Sequence, residues 1–168
     1  MKYHKAILSV GSNIGDSLSN CHKGIKALAL TGNIFVEAES NFYKTEPVDY
    51  SDQEWFINCA VKIKTVLNPF ELLDELKSVE KILGRKDKAI RFGPRILDMD
   101  IIFFDEIILK TANLVIPHPK MHKRRFVLAP VCDITPDIIH PLFRKNVKEI
   151  FDSIDENKQK VYKLTCDY

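Results

Sequence analysis

No stretch of this chain is apolar for long enough to cross a membrane. Its longest uninterrupted apolar run, Phe126 to Cys132, falls far short of the roughly 18 residues that a spanning helix needs. A secretory leader is not expected either, because the apolar run Ala6 to Val10 is broken at Ser9 and stops at Gly11. The four cysteines, Cys21, Cys59, Cys132 and Cys166, form no CxxC pair and have no Cys/His metal spacing. That argues against a zinc ribbon or a disulfide scaffold and for buried or incidental thiols in a reducing compartment, so a cytoplasmic protein is expected. Net charge is only +2, too little for general nucleic-acid binding, so the basic residues must act through local clustering. The glycine-containing turn Gly11 to Asp16 (GSNIGD) carries neither GxGxxG nor the Lys-Ser/Thr of a P-loop, and reads as a strand-to-helix turn with Asp16 or Ser17 as N-cap. Neither internal repeats nor low-complexity linkers interrupt the 168 residues. With 45% hydrophobic content, they suit one globular domain with enough core to fold unaided.

What the chain does have is concentrated between Gly84 and Phe104. Arg85, Lys86, Lys88, Arg91 and Arg95 face a single acid, Asp87, in a glycine-punctuated loop suited to a polyanionic ligand. From Ile96 the sequence turns apolar. As a strand, Ile96 to Phe104 places Asp98 and Asp100 on one face, about 7 Å apart, and Leu97, Met99, Ile101 and Phe103 on the other. Two hard oxygen ligands at that spacing can hold Mg²⁺ and leave coordination sites for water and phosphate. The plainer alternative is that the two acids solvate an open strand face. The adjoining cationic loop favours the first reading, and Gly93-Pro94 sets Arg95 on a stiff turn just before the pair.

Periodicity places strands at Lys5–Val10, Ile34–Lys44 and Trp55–Lys64, and helices at Ser17–Leu30 and from Asn68-Pro69 to Gly84. The buried stripe of the second helix is expected to be Leu72, Leu73, Leu76, Val79, Ile82 and Leu83. In the third strand Phe56, Asn58, Ala60 and Lys62 share a face, so Asn58 is either a satisfied structural amide or one that reads a heterocycle beside a stacking ring. A hairpin follows Asp105-Glu106. A helix with a basic first turn begins near Met121, and Pro130, Pro136 and Pro141 divide the next region into short pieces. A last helix spans Asn146–Ile154 and a terminal strand Val161–Thr165. The order β-α-β-β-α-β with a C-terminal extension predicts an α+β protein, a ferredoxin-like antiparallel sheet with helices packed on it.

The runs VGSNIGD, FYKTEPV, WFINCAV, RFGPRILDMDIIFF and IPHPKMHKRRFVLAP together resemble the 6-hydroxymethyl-7,8-dihydropterin pyrophosphokinases of folate biosynthesis, over nearly the whole chain. The resemblance implies a single pterin pyrophosphokinase domain over residues 1–168, which transfers pyrophosphate from MgATP to the pterin hydroxymethyl group and releases AMP. It implies that Asp98 and Asp100 hold two magnesium ions and that Arg85 and Arg95 bind the triphosphate and take part in catalysis. It implies further that His118 and Arg124 contact ATP and that Thr45, Val48, Phe56, Asn58 and Phe126 form the pterin pocket. Glu80 matches an acid of the family without an assigned role. Departures are Asp87, where many members carry arginine, Phe56, which is Tyr in some, and Phe92, often Trp. Partners implied are the two small-molecule substrates and, in some members, a fused or associated folate enzyme; nucleic acid and membrane are not among them.

Two rival readings have distinct signatures. A ferredoxin-like RNA-binding module would present aromatics and basic residues on its open sheet face, where this chain has two acids. A metal-dependent nucleotidyl transferase or cyclase would release pyrophosphate or a cyclic nucleotide in place of AMP.

Overall fold

Three strands with alternating apolar residues form the centre of the computed structural model, which describes residues 1–86 and 90–165. β1 (His4–Ser12) runs antiparallel between β4 (Phe56–Thr65) and β5 (Asp98–Phe104). The outer edge of β4 pairs with both β2 (Ile34–Glu39) and β3 (Tyr43–Thr45), and β8 (Val161–Lys163) adds to β3. The resulting six-stranded antiparallel sheet has the order β5-β1-β4-β3-β8, with β2 beside β4. β6 (Leu109–Lys110) and β7 (Val115–Ile116) make a separate hairpin. Asp87, Lys88 and Cys166, named above, lie outside the described residues. The other three cysteines are free thiols, and no helix of the described residues is long and apolar enough to cross a membrane.

Helices cover both faces. α1 (Ser17–Ala29) and α2 (Pro69–Ile82) close a core with Leu8, Val10, Val61, Ile63, Met99 and Ile101. The opposite face carries α3 (Arg125–Ile134) and α4 (Val147–Asp152), packed on Ile7, Ala60, Ile102 and Phe103. Local chemistry sets the helix starts. Asp16 caps α1 by accepting from the Ser19 N–H, and Asn68 and Glu71 form a reciprocal capping box ahead of Pro69 in α2. α1 approaches β5 closely at Gly24, where an added Cβ would lie 2.8 Å from Leu97 Cδ2.

Several elements depart from their sequence pattern, each for a tertiary reason. The strand expected over Ile34–Lys44 breaks after Glu39. Ser40 Oγ accepts the Ala60 N–H and itself donates to the Asn41 carbonyl, while Asp133 on α3 accepts from Asn41 and from the Tyr43 hydroxyl. Phe103 lies on the same side as Asp98 and Asp100, contrary to simple alternation. The β1–β5 register steps from Leu8↔Ile101 to Ile7↔Phe103, so Ile102 is an extra residue and the faces exchange beyond it. Pro130 sits inside α3 instead of ending it, and Met121–Lys123 is a short 3₁₀ turn before that helix. On α2 Ile82 is exposed, and the buried position beside Val79 belongs to Glu80.

Candidate active site

The sheet face of α3 and α4 is left uncovered at the end where β1 meets the start of β5. Ser9 and Gly11 lie opposite Asp100 and Asp98, and Gly11 is opposite Asn58 on the other side. These residues form the floor of a cavity of about 350 Å³. Its walls are the segment after β3, the turn Arg91–Arg95 and the stretch His118–Phe126. Every site residue expected from sequence lines it: Arg85, Arg95, Asp98, Asp100, His118, Arg124, Thr45, Val48, Phe56, Asn58 and Phe126.

One end of the cavity is electrostatically crowded. The Arg85 guanidinium bridges Glu80 and Asp98, at 3.0 Å from the latter, and Arg95 Nη1 stands 3.8 Å from the same Asp98 oxygen. Burial first, and then the charge of Asp100, push Asp98 up to about 6 even though Arg95 and Arg85 oppose the rise. Its side chain is 35% exposed at the cavity mouth, but the surrounding protein atoms still weaken its hydration. Burial likewise raises Asp100. The sequence left Glu80 without a role, and its geometry supplies one. It is 3% exposed; one carboxylate oxygen accepts the Met99 N–H at 2.7 Å and the other holds Arg85. Burial weakens it as an acid, raising its pKa to about 7 despite those two partners. Glu80 thus ties α2 to the backbone between the two aspartates.

Around Asn58 the lining turns aromatic. Asn58, 4% exposed, donates from Nδ2 to Thr45 Oγ1 at 2.6 Å. Gly11 is required there, since a Cβ would lie 2.3 Å from the Asn58 amide oxygen. Phe56 and Phe126 are half-buried in the walls, and Phe92 carries the cations of Arg91 and Lys120 against its ring, at 5.0 and 4.5 Å. His118 stays neutral, lowered to about 4 mainly by burial and then by the Arg124 charge. Its Nδ1 accepts the Lys120 N–H at 3.2 Å, which leaves the ring proton on Nε2.

Several contributors escaped the sequence reading. Asn13, in the GSNIGD turn, accepts the Arg95 N–H at 2.7 Å, donates its own N–H to the Arg95 carbonyl, and hydrogen-bonds Gln53 and the Glu54 carbonyl. Gln53 in turn donates to the Phe92 carbonyl. That turn therefore does more than join a strand to a helix. Asp49, at a positive φ of 66°, pairs with Arg124 at 3.1 Å across the cavity. None of these links has a local sequence signal beyond a polar side chain in a loop.

Comparison with known proteins gives a consistent picture. Residues 7–136 match the model of the family described as 7,8-dihydro-6-hydroxymethylpterin-pyrophosphokinase. The chain is 42% identical over 133 residues to the 2-amino-4-hydroxy-6-hydroxymethyldihydropteridine pyrophosphokinase of Bacillus subtilis (strain 168), covering 79% of each. It is 43% identical over 131 residues to the mitochondrial folate synthesis bifunctional protein of Arabidopsis thaliana, covering 78% of this chain but only 23% of that protein. A crystal structure of Plasmodium falciparum HPPK-DHPS superposes on 90% of this chain and 45% of that one, with a TM-score of 0.71 at 16% identity, a likeness of fold.

Proposed function

The chain belongs to the 7,8-dihydro-6-hydroxymethylpterin-pyrophosphokinase family, and on that premise we propose that its cavity seats the pterin at the Asn58 end and the ATP phosphates over Asp98 and Asp100. The activity is transfer of a pyrophosphoryl group from ATP to the hydroxymethyl group of hydroxymethyldihydropterin in folate biosynthesis. The hydroxymethyl oxygen bonds to the β-phosphorus of ATP, the bond from that phosphorus to the α-bridging oxygen breaks, and AMP leaves with one proton released. The observation that carries the assignment of ends is the polarity of the cavity: a buried amide between aromatic walls at one side, two crowded carboxylates beside Arg85 and Arg95 at the other.

The carboxylate pair suits Mg²⁺. Burial holds both acids above their usual range, and the charge of Asp100 adds to the rise of Asp98, an arrangement that a divalent cation would relieve. Among the described residues no group of three or more His, Cys, Asp or Glu side chains is placed to hold a metal ion. A cation held by Asp98 and Asp100 would therefore complete its shell with ATP oxygens and water, the usual habit of Mg²⁺, and two such ions would serve a carboxylate pair that faces a triphosphate. Bound there, Mg²⁺ would neutralise phosphate charge and align the triphosphate. Arg85 and Arg95 point their guanidiniums at the same spot, to meet charge that spreads over the phosphoryl oxygens in a loose transition state. Neutral His118 offers its Nε2–H, and Arg124 a further cation, to ATP.

The strand order supports the ferredoxin-like reading, with β2 and β3 together filling the place of one strand and β8 added beyond them. We read residues 1–168 as one domain of this activity. Relatives in which the unit is part of a longer protein named as bifunctional support fusion to, or association with, another folate enzyme.

AMP release from ATP, measured with and without 6-hydroxymethyl-7,8-dihydropterin, tests the proposal. AMP is expected only when the pterin is present, and ATP turnover indifferent to the pterin would sink the assignment. Within the cavity, Asn58→Ala is expected to weaken pterin binding by about 1–3 kcal/mol, the value of a buried hydrogen-bonding group, with the affinity for an ATP analogue unchanged. Calorimetric titration of each ligand separates the two, and an equal loss for both would contradict the placement of the pterin.

A further inference from the structure

Arg124 lies at the mouth of the cavity with an extended backbone, φ −120° and ψ 99°, as the N-cap residue of α3, and no side chain of its own turn caps that helix. A basic start is unfavourable for a helix, and its first N–H groups need acceptors from elsewhere. The acceptor comes from far along the chain. Gln159 Oε1 accepts the Arg125 N–H at 2.9 Å, and Gln159 Nε2 donates to the Lys123 carbonyl at 2.6 Å. One side-chain amide thus bonds both peptide groups that flank Arg124. The same C-terminal segment also holds the opposite wall. Lys160 exchanges two hydrogen bonds with Glu46, N–H to side chain at 3.2 Å and carbonyl to N–H at 2.9 Å, next to the cavity segment that carries Asp49. Gln159 lies beyond residues 7–136, which match the family model.

We propose that Gln159 is a positioning residue for the pyrophosphoryl transfer, acting through Arg124. The inference rests on the reading that Arg124 meets ATP. By clamping the peptide on each side, Gln159 removes the two backbone rotations that would swing the Arg124 guanidinium, so the cation is already placed when ATP arrives. Asp49, at 3.1 Å, then fixes the far end of the side chain. Misplacing a binding cation by an ångström is enough to slow a reaction governed by alignment.

The test is a double-mutant cycle on the intact chain, following AMP release at saturating pterin with ATP varied. Gln159→Ala is expected to lower kcat/KM for ATP about tenfold. Gln159→Glu still accepts from Arg125, which keeps the helix cap and guards against a folding defect, but it turns an acceptor toward the Lys123 carbonyl in place of a donor, so it should lose rate with the melting temperature held. In an Arg124→Ala background, Gln159→Ala should add less than about a twofold loss, since a residue that acts through Arg124 has nothing left to position. Full activity of Gln159→Ala, or losses that multiply in the double variant, would overturn the inference and leave the site intact. If Arg124→Ala itself left turnover and ATP binding unchanged, the reading of the site would fall and this inference with it.

Discussion

Replacing Asp98 or Asp100 by alanine is expected to lower turnover about a thousandfold or more while leaving the ligand-free chain at least as stable at neutral pH. The rate effect follows from the number of oxygens. Among the described residues Asp98 and Asp100 are the pair that would hold a cation, so losing either removes half of the carboxylates offered to the metal. The stability effect follows from acidity. Asp98 ordinarily ionises near 3.8 and is raised to about 6 in the fold, chiefly by burial and then by Asp100. A raised acid binds more protons folded than unfolded, so its contribution to stability is greatest below about 4 and is lost as pH climbs to about 6. Above that range the ionised pair works against the fold. Melting curves at pH 5 and pH 7.5 with chelator, together with single-turnover AMP release, test both halves. Both Asp→Ala variants should match or exceed the wild type at pH 7.5, with the wild type catching up at pH 5. Unfolding of either variant would make the aspartates structural and defeat the site.

The pair itself was legible because strand alternation is local: Asp98 and Asp100 must share a face whatever packs around them. The same rule failed five residues after Asp98, at Phe103, because the extra residue Ile102 is a property of pairing with β1 and leaves no mark in β5 alone. Helical spacing failed in a comparable way on α2. An apolar stripe through Ile82 was the natural choice, yet Glu80 is buried because Arg85 and the Met99 N–H, which share its charge, arrive only once α2 lies along β5. Asn13 and Gln159 illustrate a third limit. The Asn13 amide binds the backbone of Arg95, 82 residues away, and the Gln159 amide those of Arg125 and Lys123, 34 and 36 residues away, and an amide in a loop has no periodicity to betray its partner. Motif resemblance recovered what the physics of short stretches could not, the convergence of His118, Arg124 and Phe126 on the strand that carries the aspartates.

Arg95→Ala should lower kcat about a hundredfold while weakening an ATP analogue much less, and Arg85→Ala should carry a similar rate loss with a stability loss added. Arg95 stands on a backbone already fixed from both sides, its N–H to Asn13 Oδ1 and its carbonyl to the Asn13 N–H, directly after Pro94. Its side chain is only 15% exposed and aims at Asp98 before any ligand is present. A cation placed in advance spends no reorganisation when charge moves onto the transferred phosphoryl group, so its worth falls on the transition state. Arg85 serves two acids as well as the substrate. Removing it leaves Glu80 buried with only the Met99 N–H, and without that cation the Glu80 pKa, already about 7, rises further, so the acid stays protonated at neutral pH at a cost of about 1–3 kcal/mol. Glu80→Gln placed on Arg85→Ala should therefore recover most of the lost melting temperature and none of the rate, since it supplies a neutral partner for Met99 and no charge for the phosphates. Single-turnover rates, analogue titrations and melting curves for Arg95→Ala, Arg85→Ala and the double variant separate the effects. Losses of binding that equal the losses of rate for both arginines would show them to be ground-state clamps, and a double variant that regains activity would show that Arg85 mattered only as the counterion of Glu80.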